Sequence, residues 1–358
     1  MARARLVSIL DSAGELKTAA GPRELEQATA ELVGAELHGM VHDDAGVHVE
    51  LWFRSLAADA AIRLLEGKAG EGVRYLLHGL TAIGPPGTVP ATRQKLQQTK
   101  RVAGAEPAWL QRMAKPKAGR EAWRLEDRFG TRLAIVMEYA FAKEPSVAYL
   151  FDVDACGLPR LAGAGVHDDV EAAAEAWRSA VGDTAAGAPL ERVTSSSELR
   201  ALAQLDFRTP MGDETRNQAD EWFRAERRIH DLATALRSTA CPVPARRSFF
   251  DEDSTPLVEE FTEWHTGAHG GPPDPELTEM VAQEWQDGIL PQTTYCVSPE
   301  RLAYQLAIID DSYERETAAE LRALLCRWSR WLGERDGLPE DLLDRVDRAA
   351  RAPFGAAG

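Results

Sequence analysis

Two aspartates one residue apart, Asp152 and Asp154, close the apolar run YLFDVD. Such a doublet could be the nucleophile and proton-donor pair of a phosphate-transferring enzyme. The other reading is the solvent-facing end of a β-strand. Two histidines four residues apart, His265 and His269 in EWHTGAH, would share one helical face and could ligate a metal. Gly267 and the Gly270-Gly271-Pro272 run argue that the helix ends there, and the glutamate of an HExxH spacing is missing, so Glu263 or His230 would have to complete the ligand set. Without a metal, the pair reads as C-terminal histidines favoured by the helix dipole. A third group, His42, Asp43, Asp44, His48 and Glu50, is either a metal or acid–base cluster or an exposed turn.

One stretch opposes the charge of the whole. Between Ala91 and Arg120 stand eight basic residues, Arg93, Lys95, Lys100, Arg101, Arg112, Lys115, Lys117 and Arg120, against the single acid Glu106. A basic face of this kind can hold nucleic acid or phosphate. It can equally be a solvated helix and linker whose cations pair with acidic surfaces of the same protein; Trp109 is its one interleaved aromatic. The net charge of −16 and the pI near 5.0 argue against adhesion of the molecule as a whole to nucleic acid or anionic membrane. No GxSxG, GxGxxG or GxxxxGK[ST] occurs, and Ser195-Ser196-Ser197 before Glu198 reads as a helix cap.

The elements that must position these residues follow from hydrophobic period. Leu133, Ile135, Met137, Tyr139 and Phe141 alternate, as do Val147, Tyr149, Phe151 and Val153, which predicts two strands with one face buried. Four residues, 142–145, separate them, so they should pair antiparallel. EAWRLEDRFGT offers a third strand, and DDVEAAAEAWRSAVG a helix capped by Asp168 or Asp169. Before the sheet the chain reads as helices, except that VHVELWFRSL is either a short strand or the start of the next helix, the alternation of Val47, Val49, Leu51 and Phe53 favouring the strand. After about residue 195 helices dominate again, with starts at Thr255-Pro256, Asp274-Pro275 and Ser298-Pro299, and a long final pair separated by Gly337. The expected fold class is α+β, predominantly helical, with a central antiparallel β-meander and a C-terminal helical bundle. Its divisions fall at 1–120, a helical region carrying the basic segment 91–120; 121–240, the meander with helices; and 241–358, a helical domain opened by a linker near 238–256.

Two resemblances bear on these residues. A strand followed by DxD resembles the first motif of haloacid-dehalogenase-type phosphatases, which implies that Asp152 attacks phosphorus, Asp154 handles the proton and both help hold magnesium. The chain departs from that pattern: Ala155-Cys156 stands where a small residue and threonine belong, no lysine follows Lys143, and Gly212-Asp213 in MGDETRNQADE opens a helix. The hairpin context also conflicts with the parallel units that fold needs. Separately, EAWRLEDRFG, YLFDVDACG, HDDVEAAAEAW, LVEEFTEWH, YCVSPERL and LCRWSRWLGERDGLPEDLLDRVDRA, in that order over roughly residues 105–350, resemble a group of actinobacterial proteins of unknown function. That likeness implies one compact protein and assigns no activity.

The resulting expectation is a cytoplasmic, non-catalytic interaction or regulatory protein with a protein partner and no cofactor. Four scattered cysteines fit reduced thiols, and no stretch nears the ~20 apolar residues of a membrane span. The alternatives are a metal-dependent hydrolase or phosphatase using Asp152 and Asp154 or His265 and His269, and a nucleic-acid-associated protein using the basic segment.

Overall fold

Alternating large side chains make the middle of the chain a sheet. The computed structural model describes residues 2–43, 48–102, 106–113, 116–207, 216–246 and 255–351. Its strands are β1 (Lys117–Glu126), β2 (Arg132–Ala140), β3 (Val147–Asp154), β4 (Arg160–His167) and the short β5 (Glu191–Arg192). They lie in the order β4-β3-β2-β1-β5, and each pairing is antiparallel. Met137 faces Tyr149, Ile135 faces Phe151 and Leu133 faces Val153 across the β2–β3 ladder, so the bulky residues of both strands share one side. In the β1–β2 turn the Asp127 carboxylate accepts from the N–H groups of Thr131 (3.1 Å) and Arg132 (3.0 Å), while Gly130 takes a φ of 70° that favours glycine.

Five helices precede the sheet: α1 (Ala2–Ser12), α2 (Pro22–Asp43), α3 (Val49–Leu65), α4 (Glu71–Ile83) and α5 (Val89–Thr99). Between sheet and C-terminus come α6 (Val170–Val181), α7 (Arg200–Gln204) and α8 (Arg216–Leu236). The last group is α9 (Thr255–His269), α10 (Pro275–Gln286), α11 (Pro299–Ser312), α12 (Arg315–Arg335) and α13 (Glu340–Arg351). This is the α+β, mainly helical architecture that the sequence implies. Side-chain caps fix several starts: Asp169 accepts from the N–H of Ala172, Asp274 from Glu276 and Leu277, Ser298 from Arg301, and Ser195 with Glu198 forms a reciprocal capping box.

Three apolar clusters hold these layers. The Leu133–Tyr139 and Tyr149–Val153 side of the sheet merges with Leu25 and Val33 of α2, Leu76 and Leu80 of α4 and Phe223 of α8, so this core runs across the residue-120 junction. Ala134, Val136, Ala148 and Leu150 on the opposite side meet Val170, Ala173 and Trp177 of α6. The third cluster joins Phe261, Trp285, Leu302, Leu321 and Trp328 of the C-terminal helices to Phe129 of the β1–β2 turn.

Some expectations need correction. Residues 49–53 form the start of α3, not a strand. Val49, Trp52, Phe53, Leu56, Ala57, Ala60 and Ala61 are buried at helical spacing while Leu51 is exposed, and a five-residue window cannot separate the two periods. Strands β2 and β3 bury both faces, since α6 covers the side expected to meet water. The meander also continues into β4, whose small residues Ala162-Gly163-Ala164-Gly165 carry no alternation of bulk. Part of the linker expected near 238–256, residues 247–254, lies outside the described residues. Among the described residues no helix is long and apolar enough to cross a membrane.

Candidate functional site

Helix α8 carries charge on two opposite sides. Toward the sheet and α2, Arg228 donates to Glu26 (2.7 Å) and to Asp231 (2.5 Å), and Arg224 pairs with Glu221 and donates to Gln27 (2.9 Å). Arg227 joins Asp231 at 3.0 Å and the carbonyl of Thr81 at 3.0 Å. Tyr149 donates its hydroxyl to Glu221 at 2.6 Å, and the Arg228 guanidinium lies 4.4 Å from the centre of the Tyr139 ring. Helices α2 and α8 approach closely enough for this because Gly34 has no side chain: a Cβ there would sit 2.5 Å from the Asp220 Cα. Burial works against charge on Arg224 and Arg228, yet Glu221 lifts the first and Glu26 and Asp231 lift the second, so both end above the ordinary arginine value. Three acids, Glu26, Glu221 and Asp231, thus meet three arginines, and all of the set but the half-buried Asp231 is buried.

The other side of α8 opens on a cleft of about 300 Å³ lined by His48, Val49, Glu50, Pro85, Leu205, Asp206, Phe207, Glu226 and Arg246. His48 and Glu50 come from the start of α3, Leu205 to Phe207 from the segment after α7, and Glu226 from the middle of α8. Phe207 is held in place by Trp222, whose ring meets it edge-on at 5.6 Å and whose indole N–H donates to its carbonyl at 3.4 Å. Among the described residues three carboxylates gather here. Burial first, then the neighbouring Glu50 and Asp206, push the Glu226 carboxyl up to about 7. Two cations stand at the margin: Arg246 reaches Asp206 at 3.4 Å, and Arg54 reaches Glu50 at 3.7 Å. A second cleft of about 260 Å³, between β1, β2 and residues 292–293, includes Arg124, Glu126 and Glu198.

A carboxyl poised near neutrality among two further carboxylates can exchange a proton or receive a cation. The three do not converge as metal ligands: among the described residues no group of three or more His, Cys, Asp or Glu side chains could hold a metal ion. A half-buried aromatic beside carboxylates and apolar Val49, Leu205 and Pro85 suits an organic cation with an alkyl body, through ring-face attraction and ion pairing.

Asp152 and Asp154 correct the expectation of a solvent-facing strand end, since both are buried. Strand β3 is interior to the sheet. Asp152 accepts both nitrogens of Arg132 (2.7 and 2.8 Å) and the Trp177 indole N–H (3.0 Å), while Asp154 accepts from Arg160 (3.0 and 2.9 Å) and the backbone of Cys156 (2.9 Å). The Asp152 oxygens join the sheet to α6 through Trp177, and those of Asp154 hold the β3–β4 turn through Cys156 and Arg160.

His265 uses both ring nitrogens within the fold, Nδ1 against the carbonyl of Gly271 (3.0 Å) and Nε2 against Arg327 (3.0 Å). That arrangement makes Nδ1 the donor and leaves Nε2 to accept. The His269 ring lies beside it, tilted by 46° with centroids 4.6 Å apart. Helix α9 runs through Gly267 to His269 before Gly270 turns out with a φ of 78°.

The basic segment is not one helix and linker but is divided among elements. Arg93 and Lys95 lie on α5, Lys100 and Arg101 on the turn that follows, Arg112 on a separate turn, and Lys117 and Arg120 on β1. Lys115 lies outside the described residues. Of the 42–50 cluster, His48 and Glu50 do enter the cleft, Asp44 is outside the described residues, and nothing is described of the side chains of His42 and Asp43. Gly212 and Asp213 are also outside the described residues. All four cysteines are free and half-buried.

Sequence reasoning missed Asp206, Glu226 and Arg246. One signal for Glu226 was present: it follows Trp222 by four residues and precedes Ile229 by three, an acid within an apolar stripe. No family model, curated protein or solved structure matches the chain.

Proposed function

We propose that the protein is a non-catalytic binding protein whose cleft between α3 and α8 takes a small organic cation, an amine or a guanidinium group. The observation that carries this reading is Glu226, raised to about 7 by burial beside Glu50 and Asp206. An incoming cation would offset the repulsion among the three carboxylates and drive the Glu226 proton off. Phe207 would face the charged group, and Val49, Leu205 and Pro85 would cover its alkyl part.

The test is calorimetric titration with spermidine and with agmatine in two buffers of different ionisation enthalpy. At about pH 6, where Glu226 is mostly protonated, binding should release close to one proton, and affinity should rise about tenfold toward pH 8 as the competent, ionised form fills. Glu226→Gln should abolish the proton release. Binding of neither amine, or binding with no proton release, would retire this reading. Uptake of calcium without either amine would redirect it to a metal.

A further inference from the structure

Helix α3 leaves one stripe uncovered. Leu51, Ile62 and Leu65 are 58%, 50% and 48% exposed, and Ser55 and Ala58 stand between them. The spacings from 51 to 55, 58, 62 and 65 alternate four and three, the repeat of a coiled-coil seam and not of a helix lying on its own core. Trp52, Phe53, Leu56, Ala57, Ala60 and Ala61 already attach the opposite side of α3 to the interior. The Ser55 hydroxyl donates back to the carbonyl of Leu51 at 2.9 Å, so the stripe presents no unsatisfied polar group at its middle. Leu51 at one end and Ile62 with Leu65 at the other leave apolar surface in water, joined through Ser55 and the half-buried Ala58.

We infer that α3 pairs in parallel with α3 of a second copy of this chain across a two-fold axis. Two features select this occupant. Written as heptads, Leu51, Ala58 and Leu65 take the d positions and Ser55 and Ile62 the a positions. The Ile62–Leu65 layer, with a β-branched residue at a and leucine at d, favours two parallel strands. The small residues at 55 and 58 let the two backbones approach at the centre. Charge fits as well: Arg54, whose pair with Glu50 of its own helix is loose at 3.7 Å, and Asp59 flank the seam at g and e, the positions that meet across a parallel pair, so each Arg54 faces Asp59 of the other copy. An antiparallel pair would instead bring the two Asp59 carboxylates together. The helix has 17 residues, about 25 Å of length, and one such pair lies at the small end of specific interfaces. Association should therefore be reversible and concentration-dependent. This inference does not rest on the cleft between α3 and α8.

Sedimentation velocity over a dilution series tests it on the full chain. The wild type should pass from monomer to dimer, and Ile62→Glu should weaken dimerisation roughly 100-fold while leaving the circular dichroism spectrum unchanged. Asp59→Arg should weaken it roughly tenfold, and Arg54→Asp combined with Asp59→Arg should restore it. Under mild oxidation Leu51→Cys should cross-link to itself. A wild type that stays monomeric, a dimer indifferent to Ile62→Glu, or a dimer in which Leu51→Cys does not cross-link while Ala58→Cys does, overturns the inference; the last outcome marks an antiparallel pair.

Discussion

The two sides of α8 hold carboxylates under opposite conditions. Facing α2 and the sheet, Glu26, Glu221 and Asp231 are almost out of water, yet three arginines and two tyrosine hydroxyls surround them. Facing the cleft, Glu226 is half-buried, and the charges that shift it are those of the acids Glu50 and Asp206. Burial alone therefore does not decide where an acid is destabilised. The balance of partners does, and in this molecule it separates a set of charges that fixes helix to sheet from one that remains open to a counter-ion.

The strongest way to break that contrast is to unbalance the interior. Arg228→Ala would leave the buried Glu26 only the more distant Arg224 (3.9 Å) and should cost about 3 kcal/mol in urea unfolding, whereas removing one partner of an exposed pair costs far less. Replacing Glu226 by glutamine should act in the other direction. Because its folded value lies above the ordinary carboxylate value, the folded protein binds that proton more tightly, and the advantage disappears as pH rises from the ordinary carboxylate range through about 7. Glu226→Gln should thus leave stability unchanged near pH 4 and raise it above pH 8 by at most about 3 kcal/mol, read from unfolding midpoints across pH. Tyr149→Phe removes a hydroxyl bonded to a buried carboxylate and should cost about 1.5–2 kcal/mol. Smallest of all, Arg246→Ala should change stability by less than about 1 kcal/mol, since its pair with Asp206 is exposed. It should nevertheless tighten spermidine binding several-fold in the same calorimetric titration, by removing a resident cation.

Much of the fold was legible because local chemistry and tertiary packing agree. The β2–β3 hairpin, α6 with its Asp169 cap and the starts at Asp274 and Ser298 each follow from a few adjacent residues. Legibility failed where one window suits two periods or where bulk is missing, as at Val49–Phe53 and along β4. The Asp152-Val153-Asp154 doublet shows a further limit. Its strand was readable, but its burial depends on α6 and on Arg132, Arg160 and Trp177, contributed from elsewhere in the chain.

The cleft was legible only in part. His48 and Glu50 stood out as adjacent polar residues, while Asp206 and Glu226 reach them from more than 150 positions away in sequence, a separation that no local pattern spans. By itself the sequence determined the β2–β3 hairpin and most of the helices with their starts, because period and capping act over a few residues. The tertiary structure alone decided which charges meet a partner and which meet their own kind, because Coulomb interactions and desolvation depend on distance in space and on exclusion of water.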